Sequence, residues 1–266
     1  MSALAALGHL ALDVVESQPP RPGGAVLYSA RTLARLGANA RVGAACAARD
    51  RDALVAPLEE LGLPLTWCES GETASYAFHY EGEHRVMRQE AVGDPWTPAD
   101  ALAAVGDATW IHVGALVRTD FSEATLAALA GEGRRLLVDA QGLVRTPGLG
   151  ELRTDAEIGD ALRHVAVLKL NDEEAETLAR SSEPEALRSL GVVEIILTLG
   201  SHGSCVVTPK AIEHVPAHPI DDEVDPTGAG DIYSAAYLVA RSRGGEPVEA
   251  ARAATDTVSE FLSART

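Results

Sequence analysis

Lysine is nearly missing from this chain. It occurs only at positions 169 and 210, so arginine carries almost all the basic charge. Acidic residues number 39 against 22 Lys and Arg, a formal net charge of -17 at pH 7. That shortage of cations argues against nucleic acid or an anionic membrane as the main partner. Cysteine is scarce too. Cys46, Cys68 and Cys205 are far apart and odd in number. They have neither zinc spacing nor the pattern of a disulfide framework, which fits a reducing cytoplasm. No apolar run approaches the roughly 18 residues of a membrane span. The apolar stretch 3–12 has no basic leader and includes Gly8 and His9, so it reads as a first strand and not as a signal peptide. No repeat and no low-complexity linker interrupts the chain. His9, His79, His84 and His112 show no ligand spacing, so each reads as a core or surface residue and no structural metal is implied.

What is present is an alternation of strand and helix patterns over 266 residues, enough for a substantial core. Strand patterns fall at 3–15, 41–47, 109–113, 134–139, 164–170 and 193–199, with a hairpin at 204–215. Helical patterns fall at 25–36, 51–61, 122–131, 155–163, 173–180, 184–190, 229–243 and 247–262. Gln18-Pro19-Pro20-Arg21-Pro22-Gly23-Gly24 is a turn-rich break. Residues 64–90 differ in texture: Tyr76, Phe78, Tyr80 and Val86 nearly alternate around Glu81-Gly82-Glu83, the pattern of a β-hairpin. The order predicts one α/β domain over 1–266, a doubly wound and mostly parallel sheet with helices on both faces. A small β lid is expected mainly from 64–90, with 12–22 as a further contributor.

The most informative stretch is Asp225-Pro226-Thr227-Gly228-Ala229-Gly230-Asp231. Its glycines allow a sharp turn, and an Ala-rich helical run follows. The start of that helix presents free backbone N–H groups and the positive pole of the helix dipole, a natural anion site. Asp231 then falls in the first turn, where an anion would repel it. General-base work explains the placement: Asp231 takes a proton from a hydroxyl while the amides hold the phosphoryl group it attacks. The plainer alternative is an acid that complements the dipole.

In open α/β sheets the ligand crevice lies beyond the carboxyl ends of the strands. Polar residues follow the predicted strands there: Asp139-Ala140-Gln141-Gly142 with Arg145, Asn171-Asp172-Glu173-Glu174, and Thr198-Leu199-Gly200-Ser201-His202-Gly203. Each alone is an ordinary cap or turn. Together with an anion loop on one rim they favour phosphate handling.

From Asp225 through Leu238 the chain resembles the C-terminal signature of the PfkB (ribokinase-like) family of carbohydrate kinases. The resemblance implies a ribokinase-like fold, ATP as phosphoryl donor and Mg²⁺. It implies that Gly228, Ala229 and Gly230 form the anion hole and that Asp231 is the catalytic base. Asn171-x-x-Glu174 resembles the family's Asn-x-x-Glu motif, which organises Mg²⁺ and the triphosphate, the metal being held through water. The same residues form a helix-capping box, and both roles can coexist. Thr198, Gly200 and Gly203 resemble the nucleotide loop, and Thr227 offers a hydroxyl to phosphate. Gly8-His9-Leu10-Ala11-Leu12-Asp13 resembles the family's first strand, whose Asp holds substrate hydroxyls. Gly23-Gly24 and the following helix resemble its Gly-Gly loop, with Tyr28 where the ribokinase-type signature has Asn. Gln141 and Arg145 belong to a segment similar to that of a short-chain subgroup including archaeal-type myo-inositol 3-kinases.

The expectation is therefore an ATP-dependent kinase for a hydroxyl of a cyclitol or sugar, myo-inositol first. Asp13, Gly23, Gly24, Tyr28, Gln141 and Arg145 are the expected acceptor contacts. Alternatives are a kinase for another sugar, a nucleoside or a sugar phosphate, or a non-catalytic binding protein of the same fold. A small-molecule polyol or sugar is the expected partner, with no nucleic acid, no membrane and a cytoplasmic location. The resemblance also admits a homodimer through the lid.

Overall fold

The computed structural model describes residues 3–15, 19–81, 84–220 and 224–264. The expected turn at Glu81-Gly82-Glu83 and the Gln18 end of the expected break fall partly outside them.

In chain order, β1 (Leu4–His9), β2 (Ala11–Val15) and β3 (Arg21–Gly23) precede α1 (Ala25–Arg35) and β4 (Ala40–Ala47). Two single turns, α2 (Arg51–Leu54) and α3 (Ala56–Glu59), lead to β5 (Leu65–Ser70), β6 (Ala74–Glu81) and β7 (His84–Ala91). Next come α4 (Pro98–Val105), β8 (Trp110–Gly114), α5 (Glu123–Ala130), β9 (Arg135–Asp139), α6 (Gln141–Val144) and β10 (Gly150–Glu151). The last part holds β11 (Val167–Asn171), α7 (Asp172–Ala179), β12 (Glu194–Thr198), β13 (Ser204–Val207), β14 (Ile212–Val215), α8 (Ala229–Ser242) and α9 (Pro247–Ser263).

Nine strands form the large sheet in the order β14-β13-β12-β11-β9-β8-β1-β4-β5. All neighbours from β12 to β5 pair in parallel; β13 and β14 add an antiparallel hairpin at one edge. The central strands are apolar on both faces, as a sheet covered by helices on both sides requires. One face packs on α1, α8 and α9 through Leu27, Leu33, Leu137, Tyr237 and Leu238. The other packs on α4, α5 and α7 through Leu7, Ile111, Leu126, Leu136 and Ala175. No helix among the described residues is long and apolar enough to cross a membrane.

Five strands form a second sheet, β10-β7-β6-β2-β3. Its apolar anchor is Ala11, Ala74, Tyr76, Phe78 and Leu116, packed on Ala25 at the head of α1.

Three local readings are corrected. Residues 65–70 do not belong with the hairpin: β5 joins the edge of the large sheet beside β4. The expected helix at 155–163 reduces to one short turn over Ala161–His164, because Gly159 at φ 55° breaks the helical backbone there. The helix α4 was not anticipated, although Thr97 caps it, accepting from the Asp100 N–H at 3.1 Å, and Pro98 opens it. A capping residue followed by Pro is a legible helix start.

Candidate active site

All the parallel strands end on one rim. β9 ends at Asp139, β11 at Asn171 and β12 at Thr198, so the three polar loops share an edge. The amino end of α8 meets that edge. Gly228 takes φ 81°, the left-handed conformation that glycine tolerates, and lets the chain turn into the helix. A Cβ there would stand 2.4 Å from the Tyr28 ring, so the tyrosine backs the loop from α1. Ala229, Gly230 and Asp231 form the first turn, and their N–H groups precede the intrahelical ladder. Thr227 stands just before the glycine turn. Its hydroxyl and its N–H both donate to Asp225 Oδ1, at 2.5 and 2.9 Å.

Beneath the loop lies a buried polar cluster. Lys169 on β11 is the register partner of Asp139 on β9, so the two side chains share a face of the sheet. Lys169 Nζ donates to Asp139 Oδ1 at 2.7 Å, and Ser234 on α8 donates to the same oxygen at 3.0 Å. His112 Nε2 lies 2.6 Å from Asp139 Oδ2, and its Nδ1 lies 2.9 Å from Ser29 Oγ on α1. Burial raises the affinity of Asp139 for a proton, but Lys169 and His112 outweigh it and hold this carboxyl well below the usual range. Burial acts against the Lys169 charge, yet Asp139, Glu174 and Asp231 together keep it firmly protonated. Asp231 behaves oppositely. Burial first, then repulsion from Asp139, pushes its carboxyl up to about 6, against the pull of Lys169, His112 and Arg145. A carboxylate with that affinity is ionised at neutral pH and still a competent proton acceptor.

The acceptor residues expected from the sequence fall on the second sheet and α6. Asp13 on β2 is buried, and the missing side chain at Gly23 makes room for it: a Cβ there would be 2.5 Å from Asp13 Oδ2. Gly24 follows at the cap of α1. Asp13, Tyr76 and Gln89 are successive register partners across β2, β6 and β7, so their side chains share one face. Burial raises the Tyr76 phenol well above its ordinary value, and Arg145, hydrogen-bonded to it, opposes that shift. Gln141 opens α6 half-buried, and Arg145 ends it. The charge of Arg145 acts on Tyr76, Glu174 and Asp231 alike. It therefore connects the two sides.

At the start of α7, Asn171 and Glu174 form the capping box: the Glu174 N–H donates to Asn171 Oδ1 at 2.8 Å and the Asn171 N–H to Glu174 Oε2 at 3.0 Å. Burial raises the Glu174 carboxyl, against the pull of Lys169. The Thr198 hydroxyl donates to the Leu170 carbonyl at 3.2 Å, and Gly200 and Gly203 bracket the turn after β12. Tyr76 was named only as part of the hairpin alternation, and no site role was read for it, Gln89, Lys169 or His112. Lysine and aspartate at adjacent carboxyl ends of apolar strands were the available signal, because charges there need partners.

Residues 12–263 match the family described as pfkB family carbohydrate kinase. A pyrophosphate-dependent kinase in the ribokinase family, solved with a pyrophosphate analog and myo-inositol, superposes with a TM-score of 0.86 at 26% identity, covering 97% of this chain and 94% of that one. A pyrophosphate-dependent myo-inositol-1 kinase converted into a myo-inositol-3 kinase by a double mutation gives 0.85 at 26%, covering 98% and 93%. An Arabidopsis thaliana ribokinase complexed with ribose and ATP shares the fold, with a TM-score of 0.75 at 18% identity over 98% and 92%.

Proposed function

We propose an acceptor and a set of residue roles for this chain, which belongs to the pfkB family of carbohydrate kinases and is a phosphotransferase acting on a hydroxyl group. It is a sugar or cyclitol kinase, and within that class the first candidate acceptor is myo-inositol. The observation that carries the roles is Asp231: a carboxylate in the first turn of α8, behind a glycine turn, with its affinity raised to about 6. Asp13, Gly23, Gly24, Tyr28, Gln141 and Arg145 hold or border the acceptor. Two neighbours at 26% identity that concern myo-inositol support that acceptor.

Asp231 accepts the proton of the acceptor hydroxyl. The freed oxygen attacks the terminal phosphorus of the donor in line, and the bond to the leaving phosphate breaks. The N–H groups of Gly228, Ala229 and Gly230 stabilise the charge that spreads over the transferred group. Asn171, Thr198, Gly200, Gly203 and Thr227 serve the donor, for which Thr227 would leave Asp225. Among the described residues no group of three or more His, Cys, Asp or Glu forms a metal cage. Mg²⁺ on donor phosphates needs none, because it keeps several waters, so Asn171 and Glu174 would hold it through water. Bound there, it neutralises charge on the donor phosphates. The smaller sheet serves as the lid, a homodimer through it belongs to the same reading, and the location is cytoplasmic.

ATP is the donor in this reading. Pyrophosphate is the second reading, favoured by a specific observation: solved structures at 25–26% identity are of pyrophosphate-dependent kinases. One screen tests both. Consumption of ATP and of pyrophosphate, each with Mg²⁺, is measured over myo-inositol, its isomers, hexoses, pentoses, nucleosides and sugar phosphates. Acceptor-dependent consumption with myo-inositol supports the proposal. A stronger response to a nucleoside or sugar phosphate overturns the acceptor. Tight ligand binding with no consumption above background hydrolysis overturns the assigned roles in favour of a binding protein.

A further inference from the structure

Lys169 is one of only two lysines in the chain, and it is almost fully enclosed. Its ammonium lies directly under the anion loop: a Cβ on Gly230 would be 3.1 Å from Nζ. Three carboxylates act on it, those of Asp139, Glu174 and Asp231. A lysine stem is flexible and its ammonium is a compact point charge, so it can pair with any carboxylate in reach. Pairing with Asp231 would neutralise the proposed base and occupy its lone pairs. The structure instead commits Nζ to Asp139 at 2.7 Å.

Asp139 is built to win that competition. Ser234 donates to its Oδ1 at 3.0 Å, and its Oδ2 lies 2.6 Å from His112 Nε2. His112 is fixed in turn by Ser29 at 2.9 Å, and the Ser29 hydroxyl also reaches the Asp231 carbonyl oxygen at 3.5 Å. Strands β8, β9 and β11 and helices α1 and α8 thus all contribute to one buried carboxylate. A carboxylate whose partners come from three other elements, one of them braced by a fourth, has a fixed position and a fixed charge.

We propose that Asp139 is a positioning residue for phosphoryl transfer: it holds the Lys169 ammonium beneath the anion loop and away from Asp231, leaving Asp231 free as the base. The proposal rests on the kinase reading of Asp231 and adds the residue that keeps that base available. Around the Asp231 carboxylate the charged and titratable groups are Asp139 from β9, Lys169 from β11, His112 from β8 and Arg145 after α6. Tyr28 from α1 lines the loop beside it. The raised proton affinity of Asp231 agrees with a base that has not been captured by a cation.

The two partners make opposite predictions. In Asp139→Asn the freed ammonium turns to Asp231, and the Asp231 midpoint falls. In Lys169→Met the cation is gone, and the midpoint rises. Each shift is expected at about one pH unit, the lower end of what one charge does at a few ångströms. In the double variant both charges are gone, and the midpoint lies between those of the single variants. The measurement is a carbon-13 NMR titration of aspartate side-chain carboxyls in the full chain, with Asp231 assigned by its loss in Asp231→Asn. No donor, acceptor or metal is added, so failure of the kinase reading leaves this test intact, and its failure leaves the kinase reading intact.

Fixed charges alone also move the Asp231 midpoint, but additively, since Asp139 raises and Lys169 lowers its affinity already. An ammonium that turns to Asp231 makes the shifts non-additive: removing Lys169 raises the midpoint by more in the Asp139→Asn background than in the parent. Additive shifts, unmoved titrations, or single-variant shifts of the same sign overturn the proposal. If Asp139→Asn does not fold, Asp139→Ser takes its place in the same cycle, with the same outcomes.

Discussion

Two ion pairs lie where α8 meets the large sheet, one toward each end of the helix; Arg241 joins helix to strand, whereas Lys169 and Asp139 both belong to the sheet and Ser234 reaches them from α8. At the rim, Asp139 takes Lys169 at 2.7 Å and the Ser234 hydroxyl at 3.0 Å. At the opposite end, Glu194 on β12 takes Arg241 through Nε at 3.0 Å and Nη2 at 2.9 Å, and the Tyr237 hydroxyl at 2.5 Å. The components match: a carboxylate on a strand, a cation, and a hydroxyl from the helix. What lies beyond them differs. The guanidinium of Arg241 is planar and forked, holds both carboxylate oxygens, and lies 5.6 Å from the centre of the Trp110 ring. Its remaining nitrogen donates to the Gly245 carbonyl, so its donors are taken up locally. The ammonium of Lys169 is a point charge that also acts on Glu174 and Asp231. The comparison teaches that similar components fasten a helix at one end and set the charge around Asp231 at the other, according to which cation is used and what stands next to it.

The largest test of that difference is Asp231→Asn. Loss of a general base lowers kcat by about 10²–10⁴-fold. The far-ultraviolet circular dichroism and thermal midpoint should stay close to those of the parent, since Asp231 anchors no packing. Activity within threefold of the parent would remove Asp231 from the mechanism.

Arg241→Met should do the reverse. It leaves Glu194 buried without its cation, at a cost of about 3–5 kcal/mol in unfolding free energy. Chemical denaturation measures that loss. The pH dependence of turnover by the remaining folded protein should not change, and a shifted acid limb would show that the two pairs are not separate.

The third expectation concerns that limb. Asp231 must be ionised to accept a proton, and its affinity is raised to about 6. Rate should therefore be level above neutrality and fall as pH drops through about 6, approaching tenfold per unit below it. A limb near the ordinary aspartate value of about 4 would mean an exposed, unperturbed carboxylate.

The smallest effect belongs to the second sheet. Gln89 is fully buried, and neither amide atom finds a partner among the described residues. An unpaired buried amide costs about 1–3 kcal/mol, so Gln89→Leu should raise stability by about 1 kcal/mol in chemical denaturation. A loss of that size instead would show that the amide is paired in solution. The rim cluster offers no such gain, because Asp139 is saturated with partners.

The expected parallel α/β sheet, the glycine turn into α8 and the placement of the rim loops were legible because they rest on local signals. Gly228 and Gly230 mark a turn, Asp231 sits at a fixed offset from them, and Asn171-x-x-Glu174 spells a capping box that the structure forms. Leu65–Ser70 was misplaced because an edge strand and a hairpin strand carry the same alternation, and only pairing with β4 distinguishes them. That Tyr76 and Gln89 share a face with Asp13 was not legible, since alternation cannot say which strand lies alongside.

The sequence alone determined that a glycine turn delivers an acidic residue into the first turn of a helix, because those constraints act within seven consecutive residues. Only the tertiary structure decided what that acid is worth. The register that sets Lys169 beside Asp139 joins residues 30 positions apart. The ring of Tyr28 against Gly228 joins residues 200 apart. Burial and neighbouring charge, which fix the affinity of Asp231, act through space and not along the chain.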